Sequence, residues 1–245
     1  YNVLGANTTG YSNVGVGGSA SFLAAALATN TTGYGNTAVG SGAMAATTTA
    51  SGNVAVGRQS MYANTTGSNN VAIGQAALAL NTTAGNNVAI GMNALDANTT
   101  ASRNIAMGTN ALGANTTGAE NVGIGYSTLD TNTTGNRNTS LGDASMDANT
   151  TGSDNVAVGQ QALTQNTTAS NNTAVGQKAL YANTTAAYNT AVGYSALGAN
   201  TTGSYNVVVG SSALDANTTG SGNIAVGHGA LGSNTTAGEV TGVGD

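Results

Sequence analysis

Apolar and polar positions along this chain alternate in short bursts, not in helical stripes. Each burst reads Asn-(Val/Ile/Thr)-small-aliphatic-Gly, with its asparagine at Asn13, Asn36, Asn53, Asn70, Asn87, Asn104, Asn121, Asn138, Asn155, Asn172, Asn189, Asn206 and Asn223. From Asn36 onward every interval is 17 residues; the first is 23, because six extra residues lie within Gly18–Thr29. A last copy, Val240 to Gly244, keeps the spacing without the asparagine. Period-two alternation over so few residues predicts a short strand. A fixed repeat of this length predicts that the strands stack in parallel, one per turn, as a β-solenoid of about 14 rungs. Helices are disfavoured because a 3.6-residue period is absent and glycine recurs too often. Only Ala20–Ala28 reads as a short helical turn or bulge. The whole of 1–245 is expected to be one continuous solenoid segment, irregular within 18–29.

Numbering the unit from its asparagine gives N-V-A-V-G-x-x-A-L-x-x-N-T-T-G-x-x, clearest at Asn70–Asn86. Side chains alternate across a strand, so positions 2 and 4 share one face. Their aliphatic residues, such as Val71 and Ile73 or Ile105 and Met107, are expected to form a core ladder. Position 3 then faces out. It is Ala in nine of 14 copies, and a small apolar residue there predicts a neighbouring chain packed against it. Position 5 is glycine throughout: Gly17, Gly40, Gly57, Gly74, Gly91, Gly108, Gly125, Gly142, Gly159, Gly176, Gly193, Gly210, Gly227 and Gly244. A corner with positive φ or close backbone approach explains it. Position 9 is Leu or Met outside the irregular first full unit and predicts a second core ladder.

Composition narrows the function. Charged residues make up 5% of the chain, net charge is -5, and there is no basic patch to bind nucleic acid. There are no cysteines, so disulfides and thiolate metal sites are excluded. The longest apolar run, Phe22–Ala28, is far short of the ~20 residues that span a bilayer. With neither initiator Met nor signal peptide, and with both ends inside a repeat, the sequence reads as a segment of a longer chain.

Candidate chemistry is sparse. Asn-Thr-Thr occurs 13 times, at Asn7, Asn30, Asn64, Asn81, Asn98, Asn115, Asn132, Asn149, Asn166, Asn183, Asn200, Asn217 and Asn234; Thr47 breaks the series. Every copy fits the N-glycosylation pattern. Stacked asparagines at a corner also form an amide ladder, and that reading is the preferred one. Because the repeat multiplies the triplet, its count favours neither. Paired threonines suit an ice-binding array, although adjacent residues face opposite ways and leave one row outward. Asp96, Asp130, Asp147 and Asp215 share position 10 with Gly113, Thr164, Tyr181 and Gly198, as an exposed variable position would. His228, the single histidine, shares position 6 with Arg58, Gln75, Tyr126 and Gln160 and reads as solvent-facing. Without paired carboxylates, a second His or any Cys, acid–base, nucleophilic and zinc mechanisms lack their parts. The chain reads as a non-enzyme that uses no cofactor or metal.

Asn-Thr-Ala-Val-Gly at 36–40, 172–176 and 189–193, and Asn-Val-Ala-Ile-Gly at 70–74 and 87–91, resemble the head repeats of YadA-type trimeric autotransporter adhesins. The longer Ala-Leu-x-x-Asn-Thr-Thr-Gly pattern is similar to repeat shafts of phage tail fibres. The resemblance covers essentially the whole chain, although 17 residues per unit exceeds the adhesin head repeat. It implies a left-handed β-roll, a homotrimer joined to further fibre segments, and an extracellular place on a virion tail or cell surface. It also implies contact with a host surface or glycan receptor. A structural or adhesive fibre is thus the first expectation. A glycan-bearing extracellular fibril is the second, and an ice- or carbohydrate-binding solenoid the third.

Overall fold

A computed structural model describes residues 2–18 and 24–244. It is all-β, a solenoid of three-residue parallel strands, with no helix among the described residues. The chain forms two compact units. Unit 1, Tyr1–Glu120, carries β1 (Val14–Val16), β2 (Thr37–Val39), β3 (Val54–Val56), β4 (Val71–Ile73), β5 (Val88–Ile90) and β6 (Ile105–Met107). Unit 2, Asn121–Asp245, carries β7 (Val122–Ile124), β8 (Thr139–Leu141), β9 (Val156–Val158), β10 (Thr173–Val175), β11 (Thr190–Val192), β12 (Val207–Val209), β13 (Ile224–Val226) and β14 (Thr241–Val243). Within each unit successive strands pair in parallel with the repeat in register, as in Val71↔Val88, Ala72↔Ala89 and Ile73↔Ile90.

Hydrogen bonds join the rungs on every side of the coil. Beside the strands, Val54 N–H donates to the Asn70 carbonyl at 2.9 Å and Gly57 N–H to the Val39 carbonyl at 2.8 Å. At the other sides Met61 N–H reaches the Ala77 carbonyl, Thr65 N–H the Thr82 carbonyl and Asn69 N–H the Ser51 carbonyl. Backbone polar groups are therefore satisfied by the neighbouring turn, as burial requires.

The facing of the strands is the reverse of the expectation. Position 3 points inward: Ala38, Ala55, Ala72, Ala89, Ala106, Ala157, Ala174, Ala191, Val208 and Ala225 are fully buried. Positions 2 and 4 point outward and are half-buried or exposed, as at Ile105, Met107, Val207 and Val209. The neighbouring chain inferred from a small residue at position 3 thus loses its ground. Space explains the reversal. A Cβ placed on Gly242, at position 3, would meet the Leu231 side chain of position 9 at 2.6 Å. The interior opposite position 9 is narrow, and the residues that face it are small, Val208 being the largest. The position 9 ladder is buried as expected, from Met44 and Met61 through Leu214. Leu27 completes it in the irregular first unit: it is fully buried and its N–H donates to the Ala43 carbonyl. Counting back from Asn30 places the six extra residues at 18–23. Of the expected helical stretch, 20–23 lies outside the described residues, and Ala24–Ala28 forms no helix.

Four backbone corners close each turn. Position 5 glycines take φ between +125° and +143°, where side-chain-bearing residues rarely go. Positions 7, 9 and 17 adopt the left-handed region with ordinary residues, among them Gln161 (φ 59°), Leu163 (φ 51°) and Asn171 (φ 62°). A Cβ on Gly142 would lie 2.7 Å from the carbonyl of Gly159 on the next rung. Clash and strain act together there. Gly142→Ala is therefore expected to destabilise unit 2 by roughly 1–3 kcal/mol or more, read as a lower urea midpoint. An unchanged midpoint would show that the corner accepts a Cβ.

Candidate functional site

The residues singled out by Asn-Thr-Thr form an internal ladder. Asn30, Asn64, Asn81, Asn98, Asn115, Asn132, Asn149, Asn166, Asn183, Asn200 and Asn217 are fully buried. Asn81 Nδ2 donates to Asn64 Oδ1 at 2.8 Å and to the Ala84 carbonyl at 3.0 Å. The same pair of bonds recurs at Asn149, Asn166 and Asn183. An amide nitrogen with both hydrogens engaged inside the coil must leave the ladder before it can carry a sugar. Asn7 is exposed and Asn234 half-buried.

Position 1 forms a second ladder, which sequence reasoning treated only as a marker of phase. Asn70 Nδ2 donates to Asn53 Oδ1 at 3.2 Å and to the Ala84 carbonyl at 2.9 Å, while its backbone N–H also reaches Asn53 Oδ1 at 2.8 Å. Both ladders thus converge on the position 15 carbonyl. Ala84 accepts from Asn70 and Asn81; Gly67 accepts from Asn53 and Asn64 at 3.0 and 2.9 Å. The signal was the recurrence of asparagine at position 1 in 13 of 14 copies, because a strand cap alone does not demand one residue type.

Another internal polar group replaces alanines. Thr128 and Ser145 stand at position 8 and Ser140 at position 3, all fully buried. Thr128 Oγ1 donates to Ser140 Oγ at 2.8 Å, and Ser140 and Ser145 hydroxyls lie 2.5 Å apart. The three hydroxyls satisfy one another. They leave no reactive group facing solvent.

Outside the coil, the threonine rows divide. Position 13 is half-buried, and its hydroxyl donates to the next rung, as Thr65 Oγ1 does to the Thr82 carbonyl at 2.9 Å. Position 14, including Thr66 and Thr83, is exposed. The position 10 aspartates sit on half-buried ground. Burial raises the Asp96 and Asp147 carboxyls above the ordinary value of 3.8, which backbone hydrogen bonds oppose at Asp96. Their folded forms hold the proton longer than the unfolded chain, so stability falls as pH rises through the range just above 3.8. Asp154 goes the other way, lowered by its hydrogen bonds from Arg137. The ion pairs Arg103–Glu120 and Arg137–Asp154 are each one repeat apart and solvent-exposed, worth about 0.2–1 kcal/mol each.

His228 is exposed, as expected of its position. Among the described residues, no three His, Asp or Glu side chains gather where they could hold a metal ion, and no helix is long and apolar enough to cross a membrane. Two tyrosine pairs stack one rung apart, Tyr188 on Tyr205 at 5.1 Å and Tyr11 on Tyr34 at 4.9 Å, with rings within 4° of parallel. Their spacing by one unit is what brings them together.

Thr47 exposes what the ladder is worth. It occupies an asparagine position, and its hydroxyl turns to the Asn64 carbonyl at 3.1 Å. No amide then reaches Asn30 Oδ1, which is buried without a partner. An unsatisfied buried acceptor costs roughly 1–3 kcal/mol. Thr47→Asn restores the missing rung and is expected to stabilise unit 1 by about 1 kcal/mol or more, seen as a higher thermal midpoint. A lower midpoint would mean that the gap is better filled by threonine.

No protein-family model, curated protein or solved structure matches this chain.

Proposed function

We propose that this chain is the structural, adhesive shaft of an extracellular fibre, a phage tail fibre or bacterial surface adhesin, in which three copies pack side by side. A rigid, repetitive β-solenoid fits a structural role. The observation that carries the finer reading is the outward face of the strands. Positions 2 and 4 present 28 side chains, of which five are Thr and the rest Val, Ile, Leu or Met, with none charged. Ile73, Ile105, Met107, Leu141, Val207, Val209, Ile224 and Val226 are each at least a third exposed. Contiguous apolar faces on this scale mark association sites.

The partner that fits best is another copy. Rungs recur about every 4.7–4.8 Å, and aliphatic ladders at that spacing interdigitate continuously only with a surface of the same period. The number three, the extracellular setting and the adhesive role follow from the likeness of the Asn-(Val/Thr)-Ala-(Val/Ile)-Gly repeats to trimeric adhesin heads and of Ala-Leu-x-x-Asn-Thr-Thr-Gly to tail-fibre shafts. In such a fibre the chain transmits load along its hydrogen-bonded rungs and spaces a binding tip from its base. A host surface or glycan receptor is its outward partner. The glycan-coated alternative is weaker, because eleven of its thirteen acceptor amides are fully buried.

Sedimentation equilibrium tests the assembly. The expected mass is three times the 23.5 kDa chain, and a monomer would overturn the proposal. The double variant Val207→Lys/Val209→Lys, at side chains 43% and 40% exposed, is expected to release single chains whose far-ultraviolet circular dichroism is unchanged.

A further inference from the structure

A notch interrupts the variable edge of unit 2. Position 10 on successive rungs reads Tyr181, Gly198 and Asp215. At position 10 the middle rung has no side chain, and a cavity of about 450 Å³ opens there, lined by these residues with Lys178 and Ser195. Tyr181 and Asp215 stand two rungs apart, about 9.5 Å along the stack. A ring held between two walls at van der Waals distance needs roughly 4 Å on each side, so one saturated six-membered ring fits.

The lining carries the chemistry of sugar recognition. An aromatic ring offers an apolar platform, while the Ser195 hydroxyl and Asp215 carboxylate accept hydrogen bonds from ring hydroxyls. Lys178, the sole lysine in a chain of net charge -5, holds its ammonium 6.0 Å from the centre of the Tyr181 ring. The two ion pairs among the described residues use arginines, which leaves this ammonium for an anion. It lies on the Tyr181 rung, two rungs from Asp215, so cation and carboxylate mark opposite ends of the notch. We infer that the notch binds a carboxylate-bearing pyranose, a uronate within an acidic oligosaccharide, with its carboxylate toward Lys178 and its hydroxyls toward Asp215.

Neighbouring rungs supply variants compatible with the fold. Aspartate occupies position 10 at Asp96, Asp130, Asp147 and Asp215, so Gly198→Asp fills the notch with a residue the repeat already accepts. Lys178→Gln copies Gln161, which has the same left-handed backbone one rung earlier (φ 59° at both). The test titrates the intact chain with digalacturonate and, separately, with neutral galactobiose, following backbone amides by NMR. The expected result is saturable binding of digalacturonate centred on Ser195 and Gly198, at least about tenfold tighter than galactobiose, as loss of one charge-assisted contact implies. Gly198→Asp abolishes it, and Lys178→Gln weakens it about tenfold at an unchanged thermal midpoint. Absence of saturation at millimolar ligand, or binding that survives Gly198→Asp in a folded protein, overturns the site. Equal affinity for galactobiose overturns the assignment of an acidic ligand.

Discussion

The carbonyl at position 15 takes two side-chain amides, one from each asparagine ladder, and the geometry of the turn depends on that convergence. A coil this narrow cannot be held by apolar burial alone, because its interior is a file of Ala and Leu one side chain deep. Below a certain size, buried apolar area does not offset chain entropy. The asparagines fill the remaining interior with groups that are polar yet hydrogen-bonded, Asn30 Oδ1 beside Thr47 being the exception. Along most of both ladders Oδ1 accepts from the next rung, and Nδ2 donates to the shared carbonyl and on many rungs to the preceding Oδ1 as well. In a low-dielectric interior such chains polarise one another and are worth more than isolated bonds. They also punish error, since a slip by one residue would bury several unpaired amides at once.

That constraint explains why the turn tolerates its own strain. Leucine or methionine at φ near +50° occurs on rung after rung, in a conformation unfavourable for L-residues by about 1–2 kcal/mol. Its compensation is local. The side chain fills the core and its N–H reaches the next rung, as Leu78 does to the Ala94 carbonyl at 2.9 Å. Glycine is obligatory only at position 5, where rungs approach within a Cβ radius. At positions 7 and 17 the same left-handed backbone carries Gln, Lys, Arg, Glu or Tyr.

Phase, parallel stacking, the glycine corner and the Leu/Met ladder were all legible in the sequence, since each is a repeat of one residue type with one physical cause. Strand facing was not. Size suggested that Val and Ile lie inside, yet the interior facing the position 9 side chains is filled by small residues, mostly alanine, with Val208 the largest. Periodicity assigns two faces to a strand without saying which is buried; the answer depends on a dimension set by the other side of the coil. One clue lay in paired substitutions. Ser140 at position 3 comes with Thr128 and Ser145 at position 8, as polar groups sharing an interior must. The position 1 ladder was hidden for another reason: asparagine serves turns and caps so often that its recurrence did not by itself announce burial.

A solenoid separates what must be uniform from what is free to vary. Interior positions are copied from rung to rung, because any change is repeated as a mismatch against both neighbours; Thr47 shows the cost of a single exception. The outward strand face is nearly as uniform, although no ladder of amides compels it. Val and Ile at positions 2 and 4 could be polar without disturbing the coil, as the five Thr there are, so their apolar character calls for a cause outside the turn. The proposed packing against another copy of equal period would supply one. Positions 6, 7, 10, 16 and 17 lie under neither constraint. There a glycine beside a tyrosine, as at Gly198 and Tyr181, breaks the translational symmetry and creates a place unlike the others. Recognition of a discrete ligand requires such a break, because a perfectly regular face offers every rung the same site.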